Sequence, residues 1–350
     1  MPRIPAGELQ SLGVQIFEAL QVPHEEAVWV AELLVRANLA GHDSHGAIRI
    51  PQYAQAIRSA LVKPGAPPEI IKEAPATALI DGHWGLGQVV ARYAMELAIR
   101  KARGSNISSV CAYNLYHVGR LADYTRMGAE QDFVAIMAVN GGGAPPIVAP
   151  FGGTAGRLST NPISIAFPTG GPVPFLLDMA TSVVAEGKVR VKRDRGEPTP
   201  DGWLLDNQGR PTTDPNALYQ EPRGALLPLG GSAGHKGFGL AMAVEILGGI
   251  LARGGYARPD AGRFSNGTFI VVIDISAFVD PRQFRTEVDD LLAYVKSAPA
   301  APGVEAILHP GEPEAMEQQR RERDGIPFED ETWRQIVALA RELGIAVSAR

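Results

Sequence analysis

Gly85-Leu86-Gly87-Gln88-Val89-Val90 is the stretch where a doubly wound dinucleotide-binding sheet would show itself. Such a fingerprint needs three glycines between a strand and a helix. One makes the tight turn, one lets a pyrophosphate approach the backbone, and one packs helix on strand. Here the third glycine is missing, and the stretch follows His83-Trp84 rather than a clean strand. Gly237-Phe238-Gly239-Leu240-Ala241-Met242 fails in the same way. A dinucleotide bound by this chain would have to sit on another fold.

The segments on either side agree. Leu9, Leu12, Ile16 and Leu20 recur at helical spacing, and Pro23 opens a second helix carrying Ala27, Val30, Ala31, Leu34 and Val35. Gly41 stops it, and Pro51 starts a third through Tyr53 and Ile57. After residue 68 the pattern turns mixed. Strands are expected at 69–72, 77–80, 107–112, 133–139, 163–167, 175–177, 269–275 and 304–308. Helices are expected at 88–103, 118–130, 182–190, from the loop 230–239 to 252, and at 281–296, 313–323 and 330–343. Residues 194–229, rich in Pro, Gly and Asp, read as a long surface excursion. Strands and helices do not alternate with the regularity of a doubly wound sheet. The expected fold is therefore α/β of the α+β kind: a mixed, largely antiparallel sheet spanning 76–309. A helical domain, 1–75 joined by 310–350, packs on it.

Composition narrows the function. The chain has 350 residues, 45% apolar and 20% charged, ordinary values for a packed globule. A net charge of -5 argues against a nucleic-acid footprint, although a local Arg or His pocket can still hold a small anion. Cys111 is the single cysteine, which excludes an intramolecular disulfide and a cysteine zinc site and fits a reducing cytoplasm. No apolar leader follows Arg3, and the most apolar span, 238–251, contains Glu245 and is too short for a membrane helix. It reads as a core helix.

Gly41-His42-Asp43-Ser44-His45-Gly46-Ala47-Ile48-Arg49 carries the densest chemistry: two imidazoles, a hydroxyl, a carboxylate and a guanidinium around glycines. A proton donor near neutral pH beside a fixed cation suits reduction of a 2-oxo acid. A second imidazole, His117, stands in Tyr116-His117-Val118-Gly119-Arg120, after a strand and before a helix. His42-x-x-His45 lacks the carboxylates of a zinc site, so no metal is expected. Leu229-Gly-Gly-Ser-Ala-Gly-His-Lys-Gly237 puts free backbone N–H groups and Lys236 at a helix start, an arrangement that attracts phosphate. Thr181 or Ser182 suits a helix N-cap that needs no ligand, and Asp178 ahead of them equally suits accepting from a cofactor ribose or orienting a catalytic group.

Taken in order, Gly41-His-Asp-Ser-His-Gly46, Tyr116-His-Val-Gly-Arg120, Thr160-Asn-Pro162, Leu177-Asp-Met-Ala-Thr-Ser182, Gly234-His-Lys-Gly237 and Pro310-Gly-Glu312 resemble the malate/L-lactate dehydrogenase family over residues 8–345. Within it the chain is most similar to the hydroxycarboxylate dehydrogenase B branch. The resemblance implies a homodimer with a non-Rossmann cofactor domain that uses NAD or NADP. It implies that His117 is the acid/base, with Ser44, His45 and Arg49 around the substrate. It also implies that Asn161, Asp178, Met179, Ala180, His235, Lys236, Gly237, Pro310, Gly311 and Glu312 lie at or near the cofactor. Tyr53 and Arg120 are further candidate substrate contacts, and His42 is expected to be structural. Relatives often carry Ser or Asn before the catalytic histidine, where this chain has Leu115-Tyr116. That departure leaves the reaction class and opens the substrate. The expected reaction is hydride exchange between a nicotinamide and a malate-, lactate- or aryl-lactate-type 2-hydroxy acid. The rivals are reduction of a cyclic imino acid and a non-catalytic nucleotide-binding role.

Overall fold

The computed structural model describes residues 2–347 apart from 144, 259 and 261. In chain order the elements begin β1 (Arg3–Ile4), α1 (Ala6–Ala19), α2 (His24–Leu39), α3 (Ile50–Arg58), β2 (Glu69–Glu73), β3 (Thr77–Gly85) and α4 (Gly87–Ser105). Next come β4 (Ile107–Leu115), α5 (Ala122–Ala129), β5 (Phe133–Val139), β6 (Ile163–Phe167), β7 (Phe175–Met179) and α6 (Glu186–Asp194). Three short strands, β8 (Leu204–Leu205), β9 (Pro211–Thr212) and β10 (Ala225–Leu226), precede α7 (Gly234–Val244). The chain closes with β11 (Thr268–Asp274), α8 (Pro281–Lys296), α9 (Glu312–Asp324), β12 (Ile326–Pro327) and α10 (Asp330–Glu342).

The main sheet runs β2-β3-β4-β11-β5-β6-β7. Every neighbouring pair is antiparallel except β3 and β4. A parallel pair needs a crossover, and α4 supplies it. Its small inner face (Ala91, Ala94, Ala98 and Ala102 with Val90 and Met95) lies flat on Ile80, Val110, Ile270 and Val272. The sheet is thus mixed and largely antiparallel, as the sequence suggested.

A second core joins the two ends of the chain. Leu9, Leu12, Ile16 and Phe17 of α1 pack with Val30, Leu34 and Val35 of α2 and with Ile336, Leu339 and Ala340 of α10. β1 and β12, too short to be read from the sequence, pair Ile4 with Ile326 and tie this assembly shut.

Five expectations need correction. Residues 194–229, expected to be partly ordered at the surface, are ordered and in part buried: β10-β8-β9 form a small sheet, and Leu204, Leu218 and Leu226 are buried with Val148, Val189 and Ala241. The helix expected at 118–130 begins only at Ala122, because Gly119 has a φ of +82° and Asn266 Oδ1 accepts from Val118 N at 3.0 Å. The helix expected at 182 begins at Glu186. Thr181 and Ser182 do not cap it: Thr181 donates to the Thr160 and Asn161 carbonyls, and Ser182 to that of Val184. Residues 304–308 form no strand. The apolar 238–251 segment is helical but only half in the core: it is the end of α7 followed by a π-helical run, Glu245–Leu251, that buries Ala241, Val244, Gly248 and Gly249 and leaves Ile246, Ile250 and Leu251 exposed. Among the described residues, no helix is long and apolar enough to cross a membrane.

Candidate active site

The segment after α2 is held rigid by one buried amide. Asn38 donates to Asp43 Oδ1 at 2.6 Å and accepts from Ala47 N at 2.7 Å, so its side chain spans two successive 3₁₀ turns, Asp43–His45 and Ala47–Arg49. Arg321 on α9 donates to both oxygens of Asp43, at 2.6 and 3.0 Å. Gly46 closes over Asn38 so tightly that a Cβ there would lie 2.3 Å from the amide carbon. Ser44, His45 and Arg49 therefore leave a backbone with little freedom.

The facing wall is the β4–α5 junction. A Cβ on Gly87 would sit 2.3 and 2.4 Å from the Tyr116 and His117 carbonyl oxygens, so only glycine lets this chain cross the start of α4. Asp178, one residue before the end of β7, accepts from Ala122 N at 2.8 Å and so satisfies the first N–H of α5 from across the fold. His117 thereby stacks on His45, ring centroids 5.6 Å apart and planes at 17°. Tyr53 shares a 2.7 Å hydrogen bond with His117 Nδ1, which leaves Nε2 as the ring's free nitrogen. Arg49 is clamped: Nε donates to the Ser44 carbonyl at 2.7 Å and NH1 to Gln52 Oε1 at 2.7 Å, while Gln52 donates to the Tyr116 hydroxyl at 3.2 Å. Its NH2 has no protein partner among the described residues and is left for an anion.

These groups border a cleft of about 570 Å³, an ordinary size for a small-molecule site. Burial and the positive charge of Arg49 hold the His117 imidazole well below its ordinary range. Burial, with Arg49, His42 and Arg120, lowers His45 to about 3. Both rings are therefore neutral at pH 7. Burial raises the Asp178 carboxyl, against the pull of Arg120 and of the backbone N–H groups that donate to it.

The structure brings Ser44, His45, Arg49, His117, Arg120, Asp178, Met179 and Ala180 to this one cleft. His42 also borders it, with Nε2 3.2 Å from Glu314. Tyr53 does not face it; fully buried, it stands behind His117. Asn161 is buried too and points away, donating to the Ala241 carbonyl and to Glu245. His235 and Lys236 are exposed at the start of α7 and do not line the cleft. Gly237 is a packing glycine, its missing Cβ 2.1 Å from the Leu229 carbonyl. Pro310 accepts from Leu176 N at the edge of β7, and Glu312 pairs with Lys296, so residues 310–312 brace the sheet. Gln52, Phe264, Glu186 and Lys188 line the cleft without having been singled out. Gln52 had a signal, since it stands one helical turn beyond Arg49; Phe264 had none. Among the described residues, no three His, Cys, Asp or Glu side chains gather as a metal site.

A neutral imidazole beside a clamped guanidinium in one cleft suits proton transfer on an anionic substrate such as a 2-hydroxy acid. The chain belongs to the malate/L-lactate dehydrogenase family, whose model matches residues 4–337. It is 38% identical to a malate dehydrogenase of Pyrococcus horikoshii, over 98% of this chain and 96% of that protein. It is 36% identical to hydroxycarboxylate dehydrogenase B of Escherichia coli, over 98% of this chain and 95% of the relative. The crystal structure of malate dehydrogenase from Entamoeba histolytica superposes with a TM-score of 0.94 at 27% identity, covering 99% of both chains.

Proposed function

We propose that this chain is an NAD- or NADP-dependent oxidoreductase of malate-, lactate- or aryl-lactate-type 2-hydroxy acids, with His117 as the acid/base. The observation that carries the reading is the free edge of Arg49 opening beside the His45–His117 stack. Arg49 takes the substrate carboxylate, and Ser44, His45 and Arg120 surround its remaining polar atoms. As the hydrogen on C2 leaves with its electron pair, His117 Nε2 takes the hydroxyl proton; in reduction it returns that proton to the carbonyl oxygen. Burial lowers His117 most, and the charge of Arg49 adds to it; a carboxylate on Arg49 offsets that second part, so substrate binding raises the basicity of the ring.

The cleft suits a nicotinamide cofactor. Asp178, Met179 and Ala180 line it, and Arg120 Nε is buried there without a partner among the described residues, a donor suited to a polar group of the nucleotide. Asn161, Gly237 and residues Pro310–Glu312 do not line the cleft and would act only behind the walls that hold the cofactor, while exposed His235 and Lys236 would reach it only at its outer end. When bound, the nicotinamide supplies the hydride acceptor or donor.

The proposed assembly is a cytoplasmic homodimer, supported by the exposed apolar residues of α7 and the π-helical run after it. The test follows oxidation of NADH and of NADPH with pyruvate, oxaloacetate, sulfopyruvate, phenylpyruvate and piperideine-2-carboxylate. A 2-oxo acid is expected to lead. His117→Ala is expected to lose at least ~10²-fold in kcat while still binding the nucleotide. Turnover like that of the unmutated enzyme in this variant would overturn the role given to His117.

A further inference from the structure

We infer that Gln88 is a positioning residue for proton transfer, the orientation of its carboxamide deciding which nitrogen of His117 carries the proton. The inference rests on the reading of His117 as acid/base. Gln88 stands at the start of α4, 1% exposed, and does not line the cleft. Its Nε2 donates to the Tyr53 hydroxyl at 2.8 Å, and that hydroxyl shares the 2.7 Å bond with His117 Nδ1. Its Oε1 is buried with no partner among the described residues. In a core where nearly every polar atom is matched, such an orphan calls for a physical reason.

Proton counting supplies one. The Tyr53 hydroxyl has a single proton. With Gln88 Nε2 facing it, the hydroxyl accepts from the amide and gives its proton to Nδ1. His117 is then neutral, with its proton on Nε2 toward the cleft. A doubly protonated His117 must instead donate from Nδ1 to the Tyr53 oxygen, and the tyrosine proton then needs another acceptor. Gln88 Oε1 becomes that acceptor once the amide turns by half a rotation. The same rotation serves the neutral tautomer with a bare Nε2, the form that takes a proton from a hydroxyl. Each orientation leaves one amide atom unmatched, so neither is locked. The titratable groups facing His117 are His45 from the turn after α2, Arg49 ahead of α3 and Tyr53 on α3; none is a carboxylate. Gln88 through Tyr53 is thus the group that can accommodate the added proton at Nδ1.

The experiment is the pH profile of kcat/KM for 2-oxo acid reduction in the full-length enzyme, with nucleotide affinity measured alongside. Gln88→Met removes the acceptor and is expected to move the high-pH limb down by about one unit. Gln88→Glu, which presents oxygen alone to Tyr53, is expected to move it up. In a Tyr53→Phe background neither substitution should move the limb further, because the relay is already cut. Nucleotide affinity should stay as it is throughout. A limb that stays in place in either Gln88 variant that folds would overturn the proposal, and so would equal shifts with and without Tyr53. Unimpaired turnover in His117→Ala would instead sink the underlying reading, so the two failures are distinguishable.

Discussion

Two stacked imidazoles next to an arginine are a costly arrangement unless both rings stay neutral. His45 has a folded value of about 3 against an ordinary 6.5. Between those values the unfolded chain binds the proton that the folded chain refuses. Stability therefore rises with pH across that window, is fully present above pH 6.5, and is lost as pH falls toward 3. His117 adds to the loss in the same direction. Replacing His45 by Gln should shrink the fall in melting temperature between pH 7 and pH 5. Equal falls in the variant and the parent would show that His45 is not buried in its neutral form. Arg49 supports a different prediction. Its Nε and NH1 are spent on Ser44 and Gln52, so recognition depends on the geometry of the fork and not on charge alone. Arg49→Lys should raise KM for the 2-oxo acid by ~10-fold or more, about 1.4 kcal/mol, with the nucleotide affinity unmoved. Unchanged KM and kcat would remove the carboxylate clamp from the mechanism.

Among the elements, the start of α4 has the most consequences. Gly85-Leu86-Gly87-Gln88 looked like a failed fingerprint, and it was legible as such because phosphate-binding glycines have fixed spacing. Its actual use was not legible. Gly87 is bare because the chain carrying Tyr116 and His117 crosses above it, a contact between segments far apart in sequence. Gly87→Ala forces that crossing outward. It should destabilise the enzyme by ~1–3 kcal/mol and lower kcat more than it raises KM, because His117 shifts while Arg49 does not. A variant that lost stability alone, with kcat intact, would mean that the crossing does not set the position of His117. The same limit explains the other differences. Amphipathic helices α1, α2 and α10 and strands such as β5 show their burial as periodicity. The start of α5 depends on Asn266 and Asp178, and the small β8–β10 sheet depends on Val148 and Val189, neither of which local pattern reveals. At the site, the Gly41–Arg49 cluster was visible because its chemistry is packed into one short stretch. The buried helpers behind it, Gln88 and Glu245, were hidden because a lone amide or acid carries no spacing.

At the scale of the whole molecule, the segment after α7 stands in tension with its surroundings. Its inner side is tightly built. Buried Glu245 accepts from Ala257 N at 2.9 Å and from Asn140 and Asn161, and Gly248 lies against the Gly267 carbonyl. Its outer side is apolar and open: Ile250 is 63% exposed, Leu251 57% and Ile246 49%, with Phe151 and Tyr256 also exposed. A chain that needed this helix only for its own core would not place so many large apolar side chains in water, each worth ~1.5–3 kcal/mol on burial. The proposed homodimer would account for them. A two-fold contact would put the same face of each subunit against its mate. It would also buttress Asn140, one wall of the cleft, through Glu245. The double substitution Ile246→Glu, Ile250→Glu places two carboxylates on each side of that contact and should convert the enzyme from dimer to monomer in sedimentation or light scattering. Because Asn140 then loses the support behind it, KM for the 2-oxo acid should rise even where the monomer stays folded. A variant that remains dimeric would place the contact elsewhere on the surface.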